Sequence, residues 1–155
     1  MSVITLKGKI RLEAELKRLI EIERPMVINA IEEARAHGDL SENAEYSAAK
    51  EKQSFVEGRI SEISSRLATD QVVDPTTITS DKVVFGATVT VLNVETEEKI
   101  KYQIVGKDEA DVTKGMISVM SPIARAMIGK FEDDLITVVT PKGEIEYEIL
   151  KIEYV

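Results

Sequence analysis

Two carboxylate residues, Asp39 and Glu42, are the side chains whose type and spacing best fit a chemical role in this sequence. They follow Gly38, which predicts the end of a helix. Carboxylates at this spacing around a helix start can converge on one hard cation such as Mg²⁺, which usually keeps several of its waters. A cation held there can help deliver water in phosphodiester hydrolysis if a second metal ion lies about 4 Å away. The surrounding sequence offers no other set of ligands for that second ion, so the pattern predicts half of an active site.

The same spacing is also typical of a purely structural role. In a capping box, Asp39 would be the N-cap of the second helix and Glu42 its third residue, each accepting a hydrogen bond from a backbone N–H. Acidic residues also interact favourably with the positive end of a helix dipole. Ser41 is a competing N-cap, which would leave Asp39 unused by the helix. Spacing alone favours capping over metal binding, and both interpretations remain open.

Two long amphipathic helices must position this acidic pair. Apolar residues recur at spacings of three, four and seven over residues 8–36, which predicts one helix with a bend at Pro25, where a backbone donor is missing. The stripe predicted to be buried on this helix contains Leu12, Leu16, Leu19, Ile20, Met26, Val27, Ala30, Ile31 and Ala34. A second helix is predicted over residues 42–67, with the stripe Ala49, Phe55, Val56, Ile60, Ile63 and Leu67.

The short loop between these helices determines their arrangement. Two amphipathic helices joined by about five residues fold back antiparallel, so that each covers the apolar stripe of the other. A helix of about 29 residues is roughly 43 Å long, at ~1.5 Å per residue. The acidic pair is therefore expected at the far end of a long helical hairpin.

The pattern changes after residue 70. Turn-forming residues such as Asp74 and Pro75 predict a linker, and alternation of apolar and polar residues then predicts β-strands. The predicted strands cover residues 87–92, 100–105, 116–120, 135–139 and 145–154. One short helix is predicted over residues 122–128, with Pro122 in its first turn. We expect an α+β fold with a helical hairpin over 1–70, a linker over 71–81 and an antiparallel β-sheet domain over 82–155.

Composition excludes several classes of function. The chain has 155 residues, of which 43% are hydrophobic, and it contains no Trp and no Cys. Its core must therefore be aliphatic, and disulfides, thiolate metal sites and cysteine nucleophiles are excluded. No apolar run approaches ~18 residues and no apolar signal segment begins the chain. We expect a soluble, unexported, cytoplasmic protein that makes no contact with a membrane.

Charge is distributed unevenly along the chain. The net charge of −8 argues against strong binding to free DNA or RNA. Residues 1–70 contain 11 basic and 13 acidic side chains, whereas residues 71–155 contain 9 and 15. The acidic second domain suits docking on a basic partner surface, although acidity that merely aids solubility is an equally good explanation.

Residues 34–60 and several short segments between residues 85 and 130 resemble the GreA/GreB transcript cleavage factors of bacterial RNA polymerase. The first is ARAHGDLSENAEYSAAKEKQSFVEGRI, residues 34–60, which is similar to the tip of that family's helical hairpin. The second consists of residues 85–89, 117–118, 121–125 and 128–130, which resemble the family's C-terminal, FKBP-like domain. The resemblance extends over nearly the whole chain and is closer to GreA than to GreB.

The resemblance implies a protein that is not itself an enzyme. Such a factor, expected here as a monomer, binds bacterial RNA polymerase and inserts its hairpin into the polymerase's secondary channel. Asp39 and Glu42 would be the catalytic and metal-binding pair, helping to hold a Mg²⁺ shared with the polymerase active site and to position the attacking water. The polymerase then cuts the 3′ end of backtracked nascent RNA, and elongation resumes. Inhibitory relatives alter the tip acids, so the intact pair favours a cleavage factor.

The resemblance also implies contacts with the RNA 3′ end. The residues expected there are Arg35, Lys50, Ser41, Asn43 and Tyr46. Arg35 and Lys50 lie on opposite arms at matching distances from the loop and would attract RNA by charge, with ordinary solvated charge as the alternative. Lys52 and Arg59 are weaker candidates because Glu51 and Glu57 dilute their charge. Tyr46 and Phe55 are interpreted first as hairpin packing and second as base-stacking residues.

The expected polymerase-docking residues lie in the second domain and are Met120, Ser121, Pro122 and Arg125. In the family this loop contacts a coiled coil at the rim of the channel. The alternative role for Ser121 is simply that of a helix cap, and Arg125 is equally well explained as a surface residue. His37 is interpreted as a loop residue, because a zinc site would require further His or Cys ligands.

Other functions also remain to be distinguished. An FKBP-like domain suggests a prolyl isomerase, whose pocket needs an aromatic lining. The aromatic residues of the second domain are Phe85, Tyr102, Phe131, Tyr147 and Tyr154. A structural or inhibitory plug of the channel is a further alternative, against which the acidic tip argues. A free-standing nuclease is disfavoured because the metal site is incomplete.

Overall fold

The structure is a computed structural model that describes residues 2–39 and 43–155. The described chain forms two compact units. One unit consists of residues 9–70 and is helical, and the other combines residues 2–8 with residues 71–155 around a β-sheet. The predicted α+β class and the N-terminal helical hairpin are confirmed, while the FKBP-like description of the second domain stays a prediction.

The first arm of the hairpin contains a π-helical segment that the sequence did not reveal. Helix α1 (Leu6–Arg18) continues through a π-helix at Leu19–Glu23 into α2 (Arg24–Arg35). Pro25 lies in the first turn of α2, and the N–H of Arg24 donates to the carbonyl of Leu19, five residues back. Because Pro25 has no N–H and its ring would clash with the carbonyl four residues earlier, the wider turn accommodates it without ending the arm.

The π-helix changes which side chains face the second arm, α3 (Ala44–Thr69). Leu12 and Leu19 are buried and seven residues apart, but the next buried residue is Val27, eight residues further on. Met26, which a regular helix would bury, is 59% exposed. The predicted stripe was therefore wrong at Met26 and Ala30, which are exposed because the wide turn rotates the helix face after it, and it was also wrong at exposed Ile20. Together with Leu12, Leu19 and Val27, the buried side chains between the two arms form a small aliphatic seam. Its other members are Ile31, Ala34, Ala49, Val56, Ile60 and Ile63.

The first residues of the chain pack on the sheet-containing unit. Strand β1 (Val3–Thr5) pairs in parallel with β2 (Gln71–Val73). The buried carboxylate of Glu109 accepts hydrogen bonds from the N–H of Thr5 at 3.0 Å and of Gly106 at 2.7 Å, and also from the Thr5 hydroxyl. The structure thus differs from the predicted division at residue 70. Residues 2–8 group with the second unit, and the expected linker over 71–81 contains β2 and a short 3₁₀ turn at Pro75–Thr77.

The main sheet has five strands in the order β5-β4-β3-β7-β6. These are β3 (Thr88–Asn93), β4 (Lys99–Val105), β5 (Met116–Ser118), β6 (Leu135–Thr140) and β7 (Gly143–Glu153). The expectation of an antiparallel sheet was wrong for β4 and β5, which are parallel. The two short 3₁₀ turns in the connection over 106–115 bring the chain back, so that β5 runs in the direction of β4.

An aliphatic core underlies one face of this sheet. Its fully buried residues include Val89, Val91, Ile104 and Ile149. Helix α4 (Pro122–Met127) covers the core with Ala124 and Met127. No helix in residues 2–39 and 43–155 is both long and apolar enough to cross a membrane.

Close packing of β1 makes Gly106 a test of this architecture. A Cβ at position 106 would lie 2.5 Å from the carbonyl oxygen of Val3 and 2.8 Å from Glu109 Oε2. We expect Gly106→Ala to displace β1 and to lower the free energy of unfolding by about 1–3 kcal/mol, as overpacked sites do. Chemical denaturation followed by circular dichroism measures the loss.

A matched control is Gly58→Ala on α3, where an added Cβ has no neighbour within 4 Å. This substitution should stabilise the chain by ~0.5–1 kcal/mol, because alanine is the better helix former. If the Gly106→Ala protein unfolded at the same denaturant concentration as the unaltered protein, β1 would not be held as described.

Candidate functional site at the end of the helical hairpin

The chain leaves α2 through a tight turn around Gly38. The N–H of Ala36 donates to the carbonyls of Glu32 and Glu33, and the N–H of His37 donates to Ala34 at 3.1 Å. Gly38 then adopts φ +116°, a conformation that side chains other than glycine rarely tolerate. This turn brings the chain to Asp39, which is exposed.

Asn43 is the residue that joins the two arms at this end. Its Oδ1 accepts the N–H of Tyr46 at 3.0 Å, which makes it the N-cap of α3. Its Nδ2 donates to the carbonyl of Ala34, near the end of α2, at 2.6 Å. The side-chain amide of Asn43 therefore hydrogen-bonds to a backbone N–H at the start of α3 and to a backbone carbonyl near the end of α2.

The position of this cap tests the capping role considered for Asp39. Helix α3 begins at Ala44 rather than at 42, and its N-cap is Asn43. The capping-box interpretation, with Asp39 as N-cap, is therefore wrong. Sequence reasoning missed Asn43 because Asp39, Ser41 and Asn43 are all good N-cap residues, and the deciding bond to Ala34 is a contact between helices.

Asp39 lies in a shallow concavity together with His37, Asn43, Ala44 and Glu45. His37 Nδ1 and Glu45 Oε2 are 2.9 Å apart, which fixes the His37 ring against the start of α3 and agrees with its interpretation as a loop residue. Residues 40–42 lie outside the described residues. The predicted roles of Ser41 and Glu42 therefore stay predictions.

The described residues of the hairpin end do not form a complete metal site. Within residues 2–39 and 43–155, no three His, Asp or Glu side chains are arranged to hold a metal ion. Asp39 is a hard oxygen donor on the surface, which is the kind of ligand that Mg²⁺ takes. The described residues can therefore contribute to a Mg²⁺ site but do not enclose one.

The cations near the hairpin end differ from those on its shaft. Arg35 is exposed and has no ion-pair partner in the part of the chain that the structure describes. Lys50 is exposed and donates only to the neutral side chain of Gln53, at 3.1 Å. Both positive charges are available to an anionic ligand. The availability of these charges agrees with the predicted contact of Arg35 and Lys50 with RNA, which stays a prediction. The predicted RNA contacts of Asn43, whose amide is engaged in the hairpin, and of half-buried Tyr46 also stay predictions.

Ion pairs neutralise the shaft. Arg59 binds Glu15 through two hydrogen bonds of 2.6 and 2.8 Å, and Arg24 binds Glu57 through two of 2.8 Å. The Arg59 hydrogen bonds hold the pKa of Glu15 below its usual value, so this carboxylate stays charged to a lower pH than an unpaired glutamate does. Lys52 lies 3.9 Å from Glu23. Lys52 and Arg59 are thus paired across the hairpin, with partners other than the Glu51 and Glu57 considered from the sequence.

Phe55 does not pack in the hairpin. Its side chain is 71% exposed on α3, so the packing interpretation was wrong for this residue. Its position in the helix, one residue before buried Val56, turns it away from the aliphatic seam. No described contact assigns Phe55 a function.

The predicted docking residues surround the start of α4. Ser121 is its N-cap and accepts the N–H of Ala124 at 3.3 Å, so the capping role is confirmed. Met120 is 56% exposed, and Pro122 and Arg125 are also exposed. The loop therefore presents apolar and cationic surface side by side, and docking through it stays a prediction.

Comparison with known proteins identifies the family. The family model described as "Transcription elongation factor, N-terminal" matches residues 2–72, and the corresponding C-terminal GreA/GreB model matches residues 78–154. The chain belongs to the GreA/GreB family of transcription elongation factors. Transcription elongation factor GreA of Alkalilimnicola ehrlichii is 55% identical over 152 residues, covering 97% of this chain and 96% of that protein. GreA of Hyphomonas neptunium is 58% identical over 151 residues, with the same coverage.

The solved structures that match this chain have lower sequence identity to it than these GreA sequences. The crystal structure of GreA factor homolog 1 of Thermus thermophilus is 25% identical, with a TM-score of 0.44 over 99% of both chains. The family models together cover both units described above, the helical hairpin and the sheet-containing unit.

The bond between the two arms gives a direct test of this end of the hairpin. We expect Asn43→Ala to destabilise the hairpin by about 0.5–2 kcal/mol, the usual cost of losing an N-cap. Amide hydrogen exchange at Tyr46 should become faster, since that N–H loses its acceptor. Exchange measured by NMR on the full-length protein reports on this site separately from the second unit.

Asn29→Ala is the matched control, because Asn29 is an exposed residue within α2. Its effect should stay within ~0.5 kcal/mol, as is usual for surface substitutions. Equal exchange rates at Tyr46 in the Asn43→Ala variant and the unaltered protein would contradict the capping role of Asn43.

Proposed function

We propose that this transcription elongation factor binds bacterial RNA polymerase in the cytoplasm and inserts its helical hairpin into the secondary channel. There it stimulates the polymerase's own cleavage of the 3′ end of backtracked nascent RNA, which rescues arrested complexes. The observation that carries this proposal is an exposed Asp39 at the hairpin end, where Asn43 has taken over the capping role. Asp39 is thus not required as a helix cap.

The proposed role of the acidic pair follows from its position. Asp39 and Glu42 would hold a Mg²⁺ together with groups of the polymerase active site, and the factor itself is not an enzyme. When bound, Mg²⁺ lowers the pKa of water and neutralises phosphate charge. The chain itself contributes carboxylates at the end of a helical hairpin. At that end, hydrogen bonds of the Asn43 side chain join the two arms.

The distribution of charge along the hairpin supports an RNA contact at its end. Arg24, Lys52 and Arg59 are occupied in ion pairs between the arms, whereas Arg35 and Lys50 are not paired with described carboxylates. Unpaired cations attract a phosphate backbone more strongly than neutralised ones. We propose that Arg35 and Lys50 guide the RNA 3′ segment toward the acidic pair.

Two alternatives are less well supported. A prolyl isomerase needs an aromatic pocket, but Tyr147 is buried in the core, and Phe85, Tyr102 and Tyr154 are packed against it. Phe131 is half-exposed in a shallow concavity otherwise lined by Ser80, Asp81, Glu132 and Ile152, so it forms no aromatic cage there. An inhibitory channel plug would not need an acidic end. We propose instead that the second unit docks on the polymerase through the loop around Ser121.

Substitution of the acidic pair tests the proposed activity. We expect Asp39→Asn and Glu42→Gln each to lower the rate of stimulated RNA cleavage by on the order of 100-fold, because a ligand that helps to hold the Mg²⁺ is lost. Binding to the polymerase should be unchanged, since docking uses the other unit. Cleavage is measured on stalled elongation complexes with Mg²⁺, and binding by competition with a labelled unaltered factor.

Glu45→Gln provides the matched control, because Glu45 is a carboxylate at the same end of the hairpin that pairs with His37. It should retain nearly full cleavage. Normal cleavage by both Asp39→Asn and Glu42→Gln would end the metal hypothesis, and an equal loss in Glu45→Gln would show that only the net charge of this end matters.

Titration of the isolated protein tests whether the metal site is shared. Since two carboxylates are a poor cage for Mg²⁺, which sheds its waters reluctantly, we expect no binding tighter than about 1 mM. Cleavage should require polymerase and should become faster as pH rises through neutrality, because deprotonated water is the nucleophile. Micromolar Mg²⁺ binding in calorimetry, or RNA cleavage without polymerase, would contradict a shared site.

A further inference from the structure

The sheet of the second unit ends in an open edge at β6 (Leu135–Thr140). The N–H of Ile149 donates to the carbonyl of Asp134 at 2.9 Å, just before β6 begins. Because successive strand residues direct their backbone groups to alternate sides, Leu135, Thr137 and Val139 turn their N–H and C=O groups toward the open edge. No partner for these groups exists among the residues that the structure describes.

The side chains of β6 leave this edge unprotected. Ile136 and Val138 are buried in the core, whereas Leu135 is 58% exposed and Val139 is 69% exposed. The strand, LITVVT, contains no charged residue. Edge strands of soluble proteins usually carry a charge or a proline that blocks pairing with another chain, and here Pro141 comes only after the strand has ended.

A row of carboxylates runs along the neighbouring strand β7. The register pairs Leu135 with Glu148, Thr137 with Glu146 and Val139 with Glu144, and opposed residues share one face of the sheet. Successive carboxylates in this row are about 7 Å apart along the strand. None of the three has an ion-pair partner in the described part of the chain. Glu95 lines the same concavity as Glu144 and Glu146, beside Val94 and Thr137.

We propose that the β6 edge binds an extended segment of a partner protein in which Lys or Arg alternates with apolar residues. The segment adds to the sheet as a sixth strand, and its main chain bonds to Leu135, Thr137 and Val139. Its cationic side chains lie on the exposed face. Strands are ~4.8 Å apart, so the carboxylate row is about 10 Å away, and the apolar stems of Lys or Arg can cross Leu135 and Val139 to reach it.

Charge determines which occupant fits. Main-chain bonds give an added strand its affinity, and the alternate side chains give it specificity. A second copy of this chain would bring its own acidic sheet, since residues 71–155 contain 9 basic and 15 acidic side chains. The carboxylate row therefore favours a basic segment. This inference is independent of the hairpin and goes beyond the proposed function.

The test uses the full-length protein and a synthetic octapeptide in which lysine alternates with valine, at low salt. NMR should show the largest amide shifts at Leu135, Thr137 and Val139. The triple substitution Glu144→Gln, Glu146→Gln and Glu148→Gln should weaken binding by about tenfold, because three exposed ion pairs are lost, each worth a few-fold. Val139→Lys should also abolish binding by placing a charge on the edge. Circular dichroism verifies that each variant is folded.

The matched control substitutes three exposed carboxylates of the helical unit, Glu13→Gln, Glu32→Gln and Glu51→Gln, which changes the net charge equally. Binding by this control should equal that of the unaltered protein, and a peptide with glutamate in place of lysine should not bind. An equal loss in the control, or amide shifts away from β6, would overturn the proposal. So would concentration-dependent self-association that shifts the same three amides, since a second copy would then be the occupant.

Discussion

The missing backbone N–H of Pro25 governs how the helical hairpin is packed. A helix that met Pro25 in regular α geometry would lose a hydrogen bond and force the proline ring against a carbonyl. The π-helix at Leu19–Glu23 avoids this, and in doing so it rotates the rest of the first arm. Val27 then faces α3 instead of Met26. This rotation also determines which side chains of the first arm face α3 near the end of the hairpin.

Among the described residues of the hairpin, the buried seam contains no aromatic side chain. This seam consists of small and branched aliphatic side chains, so much of the specificity for one alignment of the arms must come from polar contacts at its borders. Arg59 with Glu15 and Arg24 with Glu57 form two-point contacts that fit only one register. Ion pairs in contact with solvent contribute little free energy. Their effect is to fix alignment, and alignment brings Asn43 opposite Ala34.

Sequence patterns predicted the type of most elements because helices and strands have different apolar periods. The two arms, the short helix after Ser121 and the five main strands were all recognisable locally. What the sequence did not show depends on contacts between distant residues. No short sequence pattern predicts that β1 pairs with β2 or that β5 runs parallel to β4. Each pairing depends on the position of a strand that is distant in the sequence or reached through an irregular connection.

The candidate site shows the same limit at the level of single residues. The acidic character of the hairpin end was evident from Asp39 and Glu42, but three neighbouring residues were equally suitable as the helix cap. The choice of Asn43 depends on a carbonyl nine positions earlier in the chain. The prediction that Phe55 is buried was wrong for a related reason. An aromatic residue next to a predicted apolar stripe is assigned to that stripe unless the rotation of the helix about its axis is known.

The burial of Glu109 against Thr5 has a consequence for how the chain is made. These residues are 104 positions apart, so the first strand leaves the ribosome long before its partners exist. The helical hairpin depends on contacts within residues 9–70 and can fold as soon as that stretch has emerged. At roughly 5–20 residues per second, the synthesis that separates Thr5 from Glu109 takes about 5–20 s. The start of the chain is thus among the last parts to be fixed, and its docking completes the second unit only when synthesis is well advanced.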